Sequence, residues 1–474
     1  MSLGSALAAL LLFAALTPAL AQQVPNPMSR DVEKVYYPYD FGAKCDATAQ
    51  AGGGADDTAA LNAMFDAIRT AAQPFRVAAA GKTCRISSTL NATSLRQVGD
   101  QNRSPSTIQL RLYCATGGTP CIDALNTRFI TWEHLYINGA ATGSPSIGIQ
   151  FGRSAGLANA DMNVFNQPYI TGTFTKAGVY NYAAEQTTIV GPFVSNAATT
   201  VGSYGWMEDA CNSVPLTSAF AAAPAANTCA SHNSTTFVGG WLTGDVPLFL
   251  SGTQGSKFIN SYLYTTGNLC AAAIYQNGAT FSRGLDLDLI LEINPASFIC
   301  LRSSTSSIKL QGLKLKSFVV PATGSVFNTA AGITSVVARD LHLNLSEVYP
   351  GLVLFSNPAL WTVSGLSGFL SGDMTYNGLP PSLSGNLCLQ NDASGIDKCI
   401  AYSRGVGWQG VDDILAYVIP RTVAQLAAAH PCATSAGSTS MVSDALAPAW
   451  HAAVVGGGAV LTPVYCNGTN WVAY

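Results

Sequence analysis

The chain has 474 residues, long enough to bury a large core, yet only 10% of them are charged and Gly alone numbers 45. A surface built from Ser, Thr, Asn and Gly suits short strands joined by turns and does not suit exposed helices. Net charge is −3 at pH 7 and no basic stripe stands out, which argues against nucleic acid as a partner.

Residues 1–21 read as a secretory signal. An apolar run from Ala6 to Leu16 is followed by Pro18 and then Ala19-Leu20-Ala21 as a cleavage site, although no Lys or Arg precedes Arg30. The run is too short to span a bilayer and no later stretch is long enough, so no membrane span is expected. The 12 cysteines agree with a secreted or periplasmic protein. They fall into near-neighbour pairs: Cys45 with Cys84, Cys114 with Cys121, Cys211 with Cys229, Cys270 with Cys300, Cys388 with Cys399, and Cys432 with Cys466. No C-x-x-C occurs and no His lies at ligand spacing from a pair, so structural disulfides are expected before a metal. Connectivity stays open at this level.

Further along, Tyr39-Asp40-Phe41-Gly42-Ala43-Lys44-Cys45-Asp46 precedes a Gly-rich loop and Asp56-Asp57-Thr58-Ala59-Ala60-Leu61. Asp56 or Asp57 can cap a helix, whose apolar face is Leu61, Met64, Phe65 and Ile68. These phrases, with residues 76–87, resemble the N-terminal cap of the pectate lyase superfamily, in which a helix plugs the end of a right-handed parallel β-helix. The resemblance covers about residues 36–90. It implies an extracellular, carbohydrate-facing protein and does not choose among lyases, glycosidases and phage tailspikes. Cys45 and Cys84 depart from the family pattern, where Gly and an apolar or aromatic residue are usual, and a local disulfide fits there. The tailspike likeness makes a homotrimer an option.

Candidate coils follow at 107–112, 129–137, 164–170, 188–194, 235–242 and 257–264, at uneven spacing. Three regular copies come next, with Leu285, Leu313 and Leu341 recurring every 28 residues. In each copy Leu alternates with a polar residue, the period of a strand with one buried face. A strand that recurs at a fixed interval predicts a solenoid, with the Leu columns inside. Asp286, Lys314 and His342 then form one outer column, and Asp288, Lys316 and Asn344 a second. A last weak copy is read at 361–366.

Residues 203–234, with Trp206, Glu208, Asp209 and the Cys211/Cys229 pair, read as a long loop and a candidate wall of a binding groove. A disulfide-tied loop without a ligand explains it equally well. The Pro/Gly cluster at 377–381 reads as a boundary. It divides a β-helix domain with its cap (22–381) from a small disulfide-bearing module (382–474). In that module a helix is expected at 423–429, and a hairpin pairs Val464-Tyr465-Cys466 with Trp471-Val472.

Gly152-Arg153-Ser154-Ala155-Gly156 matches a nucleophile elbow in letters only; the strand–turn–helix context is missing, and a turn is the better reading. Polygalacturonase motifs (N-T-D, G-H-G, R-x-K) and the W-x-D-H and R-x-P-x-x-R motifs of calcium pectate lyases are absent from the coils. The candidate chemistry therefore rests on the outer ladder. Asp286 and Asp288, about 6.6 Å apart along a strand, could share acid and base roles or hold Ca²⁺. Lys314 or Lys316 could contact a uronate or act as base, and His342 completes one column. Tyr262 and Tyr264 share a face and offer sugar-stacking platforms if that face is outward. The competing explanation is a charge-paired cross-strand ladder with no chemistry. The expected function is binding, and cleavage by elimination or hydrolysis, of an acidic or complex polysaccharide. The alternative is a tailspike-like or adhesin-like protein that only binds.

Overall fold

The computed structural model describes residues 34–49, 53–71, 73–96, 106–153, 162–198, 203–209, 232–267, 270–277, 281–291, 297–317, 324–348, 353–372, 382–391, 396–403, 407–410, 421–434 and 436–473. The signal segment lies outside them. The chain winds as a right-handed parallel β-helix with a small antiparallel module near its C-terminus. Among the described residues no helix is long and apolar enough to cross a membrane.

The helix Thr58–Ala71 closes the N-terminal end with Leu61, Met64, Phe65 and Ile68 buried. Asp57 ties its start to the first coil, accepting hydrogen bonds from the backbone N–H of Lys44 (2.7 Å) and Cys45 (3.1 Å). Asp56 caps the helix by accepting from the N–H of Thr58 at 3.1 Å.

Among the described residues the coils stack into two large sheets and one short parallel pair, His232–Asn233 with Thr253–Gln254. One has ten parallel strands, from Leu90–Asn91 to Val353–Phe355. The other has 23 strands and wraps the remaining faces. In the regular coils Asp286, Lys314 and His342 are in register, as are Asp288, Lys316 and Asn344. Leu285, Leu313 and Leu341 are buried, and so are Leu287, Leu315 and Leu343. The repeat expectation therefore holds side chain by side chain.

Most of the earlier candidate coils are not single strands. In 129–137, 164–170, 188–194 and 235–242 a left-handed residue turns the chain between two strands: His134 (φ 49°), Gln167 (47°), Gly191 (57°) and Gly239 (67°). That column passes on to Asn260 (φ 50°), whereas Gly255, Gly284, Gly312, Asp340 and Gly365, with φ from 55° to 70°, form a second left-handed column that continues Ser234 (61°) through the regular coils. That is why the repeated segments begin with Gly or Asp, residue types that tolerate this region.

Four of the expected disulfides are formed: Cys45–Cys84, Cys114–Cys121, Cys270–Cys300 and Cys432–Cys466. Cys388 and Cys399 lie opposite each other on paired antiparallel strands, and Cys211 and Cys229 lie outside the described residues. Parallel pairing runs past the Pro/Gly cluster, because strand Ser382–Asn391 still pairs in parallel with Trp361–Gly372 before the chain turns back. The terminal module holds helix Val423–Ala429, capped by Thr422 and Gln425, and a three-stranded antiparallel sheet. Within it Tyr465 faces Val472 and Cys466 faces Trp471, the hairpin expected from sequence.

Candidate functional site: an aromatic ridge and a polar pocket

Tyr136, Tyr169, Phe193, Trp241 and Tyr262 occupy one register position on five successive coils. Each stands one residue before a buried aliphatic (Ile137, Ile170, Val194, Leu242, Leu263), so strand alternation turns the ring outward. Ring centroids are 5.5, 4.7, 6.5 and 5.8 Å apart along the column, with planes within 23° of parallel. Such separations are offset stacks, which leave part of each ring uncovered. Tyr169 and Tyr262 remain 43% and 40% exposed. Arg111 starts the column, its guanidinium 4.7 Å from the Tyr136 centroid. Tyr264 packs against Trp241 at 5.9 Å. Two residues further along each strand, Asn138, Thr171, Ser195 and Thr243 form a parallel polar column. Across the corner, Val190, Val238 and Ile259 extend the apolar surface in a column of their own, each about two-fifths exposed.

The ridge ends beside a pocket. Strand Lys257–Thr265 carries a bulge between Phe258 and Ser261, with Asn260 in the left-handed region (φ 50°). Bulges re-aim side chains, and here Asn260 joins Asp288, Ile290, Lys316, Ser317, Asn344 and Ser346 around a cavity of about 140 Å³. Ile290 is the next member of the aromatic column after Tyr262.

The outer ladder is thus brought together in register as expected. Lys316 Nζ lies 2.9 Å from Asp288 Oδ2. Asp286 sits between Lys257 and Lys314 in register. His342 Nδ1 is 3.0 Å from Ser367 Oγ. The ion pair engages one of the two Asp288 carboxylate oxygens. The Ca²⁺ expectation fits poorly, because two carboxylates flanked by three lysines make a weak donor set for a hard dication. Among the described residues the only metal-sized cluster is Cys45, Asp57 and Cys84, whose cysteines are disulfide-bonded.

Glu208 and Asp209 do not wall a groove. They belong to strand Tyr204–Asp209 of the ten-stranded sheet, and both are fully buried. Glu208 points into the coil, accepting from Trp206 Nε1 (3.2 Å) and Ser256 Oγ (3.0 Å). Asp209 faces the other way and accepts from the Tyr180 hydroxyl at 3.3 Å. The Lys176 ammonium lies 3.8 Å from the Tyr180 ring centroid. Burial pulls the Lys176 pKa below its ordinary value against the attraction of Asp209, and pushes Tyr180 well above the phenol range. Residues 204–209 of the expected loop are strand, because Gly205 and the polar pair Glu208-Asp209 hide the alternation of a strand whose two faces are both covered, and residues 210–231 lie outside the described residues.

Sequence reasoning found Tyr262 and Tyr264 but missed the other ridge members. The signal was an aromatic directly before an aliphatic in five candidate coils; unequal loops between them concealed the column.

Comparison of the sequence with protein-family models and with curated proteins finds no match. Among solved structures, the gp42 tailspike of Acinetobacter phage vb_AbaP_AS12 aligns over 91% of this chain and 74% of its own, at 10% identity and TM-score 0.46. ORF18 of Geobacillus virus E2 covers 93% and 75%, at 9% identity and TM-score 0.40. PfbA, a surface adhesin of Streptococcus pneumoniae, covers 80% and 99%, at 9% identity and TM-score 0.37. At these values the comparisons carry no argument about function.

Proposed function

We propose that this protein is an exported glycan-binding β-helix that holds an extended polysaccharide along the aromatic ridge. The observation that carries the reading is the outward column Tyr136–Tyr169–Phe193–Trp241–Tyr262. Aromatic faces and edges pack against the C–H faces of sugar rings, and the Asn138/Thr171/Ser195 column supplies hydroxyl and amide partners beside them. At a strand spacing of about 4.8 Å the five coils offer roughly 19 Å of continuous platform. Disulfides agree with an oxidising compartment. Binding is common to both readings, cleavage by elimination or hydrolysis and the tailspike-like or adhesin-like protein that only binds.

Wild type and the Trp241→Ala and Tyr169→Ala variants are run through gels containing a panel of acidic and neutral polysaccharides. Retardation of wild type and its loss in both variants supports the ridge; unchanged retardation of the variants, or none of wild type, sinks it. The same mixtures, read for unsaturated uronates by ultraviolet absorbance and for reducing ends, test cleavage, and sedimentation velocity tests the homotrimer. The division at residue 381 is tested by expressing 22–381 alone.

A further inference from the structure

A second pocket lies on the face that precedes the glycine corner of the regular coils. It has a volume of about 220 Å³ and is lined by Phe281, Lys309, Leu310, Gln311, Val337 and Arg339. The 28-residue repeat builds it. Strand Ser307–Gln311 pairs with Ser335–Arg339, which sets Lys309 opposite Val337 and Gln311 opposite Arg339. Arg283 bridges to Gln311 one coil earlier. Ile308, Leu310, Val336 and Ala338 are buried, so alternation leaves Lys309, Gln311, Val337 and Arg339 on the outside.

Lys309 and Arg339 are diagonal neighbours on parallel strands, their backbone positions about 8 Å apart from the strand spacing and the rise per residue. Both are exposed, and neither takes part in an ion pair among the described residues. The other charges nearby are accounted for. The Arg283 guanidinium donates twice to Gln254 Oε1, at 3.0 and 2.6 Å. The Asp340 carboxylate turns toward the next coil, its Oδ1 2.9 Å from the Cβ position of Gly365, and does not line the pocket. Two cations therefore stand over an apolar floor with no acid in the lining.

We propose that this pocket binds an oxyanion carried on a sugar ring, the carboxylate or sulfate of an acidic glycan residue. Lys309 and Arg339 hold the oxyanion from two coils, Gln311 donates from its amide, and the ring rests on Phe281 and Val337. The sugar ring rests on the glycan reading of the ridge; the oxyanion contact rests on the two cations alone.

The test uses the full exported chain with inorganic sulfate, free galacturonate and oligogalacturonate as probes, and a malto-oligosaccharide as neutral control. Acetylation of Lys309 by an amine-reactive ester, followed by peptide mass spectrometry, reports occupancy. Acidic probes are expected to slow Lys309 modification several-fold while Lys314 keeps its rate, and added salt should weaken the protection. Protection by sulfate and galacturonate supports a simple oxyanion contact; protection by oligogalacturonate alone supports a polymer site. Arg339→Gln should abolish protection by sulfate and by free galacturonate, while a change at Val190, Val190→Ala, should leave both intact. Absence of protection by all three probes, or protection that survives Arg339→Gln, overturns the proposal.

Discussion

The 23-stranded sheet turns Tyr136, Tyr169, Phe193, Trp241 and Tyr262 to the outside, where they stay partly exposed. The ten-stranded sheet carries aromatic groups of the same kind, Tyr180, Tyr204, Phe249 and Tyr275, yet these are buried in a cluster separate from the main core. Their ring contacts are similar, 4.8 Å for Tyr204–Phe249 and 6.1 Å for Phe249–Tyr275. Ring stacking by itself therefore does not distinguish a platform from a packing unit. Solvent access does, together with what lies alongside: Thr and Ser beside the ridge, a fully desolvated Asp209 beside the buried set.

The sharpest way to break this contrast is a pair of truncations. Phe249→Ala empties a fully buried site and should cost about 3–5 kcal/mol in denaturant unfolding. Should it cost under about 1 kcal/mol, a surface value, the buried cluster is not packed as described. Trp241→Ala should lose much less stability, about 1 to 2 kcal/mol from its stacking partners, while abolishing glycan retardation.

Alkaline pH should separate the two sets next. Burial, with the charge of Asp209 adding to it, raises Tyr180; burial likewise pushes Tyr275 up to about 12. Their folded pKa values exceed the unfolded value near 10, so the stability from keeping them neutral is complete below roughly pH 10. It is lost as pH rises from there through about 12. Phenolate absorbance from these groups should then appear together with loss of the circular dichroism signal. Their ionisation in a chain that stays folded would contradict the burial.

The smallest expected effect is at the charged ladder. Asp288→Asn removes a half-exposed ion pair with Lys316, worth no more than about 1 kcal/mol. A melting temperature within a few degrees of wild type, with unchanged glycan retardation, is the expected result. Loss of a measured cleavage activity in this variant would return the ladder to the catalytic role that its composition first suggested.

The sequence by itself determined the parallel coil, its interior Leu columns and the capping helix, and offered near-neighbour cysteine pairs of which the structure forms four. Those features depend on local periodicity and short separations, and period-2 alternation at a fixed interval admits one register. It also places Asp286, Lys314 and His342 in one column. Tertiary structure alone decided which way Tyr262 and Tyr264 face, because the bulge at Asn260 resets the alternation within that strand. It alone aligned five aromatics separated by loops of unequal length, and moved Glu208 and Asp209 from an imagined loop into a strand covered on both faces. Loop length does not alter which strands stack, so a column can be perfect in space while its spacing along the chain is irregular.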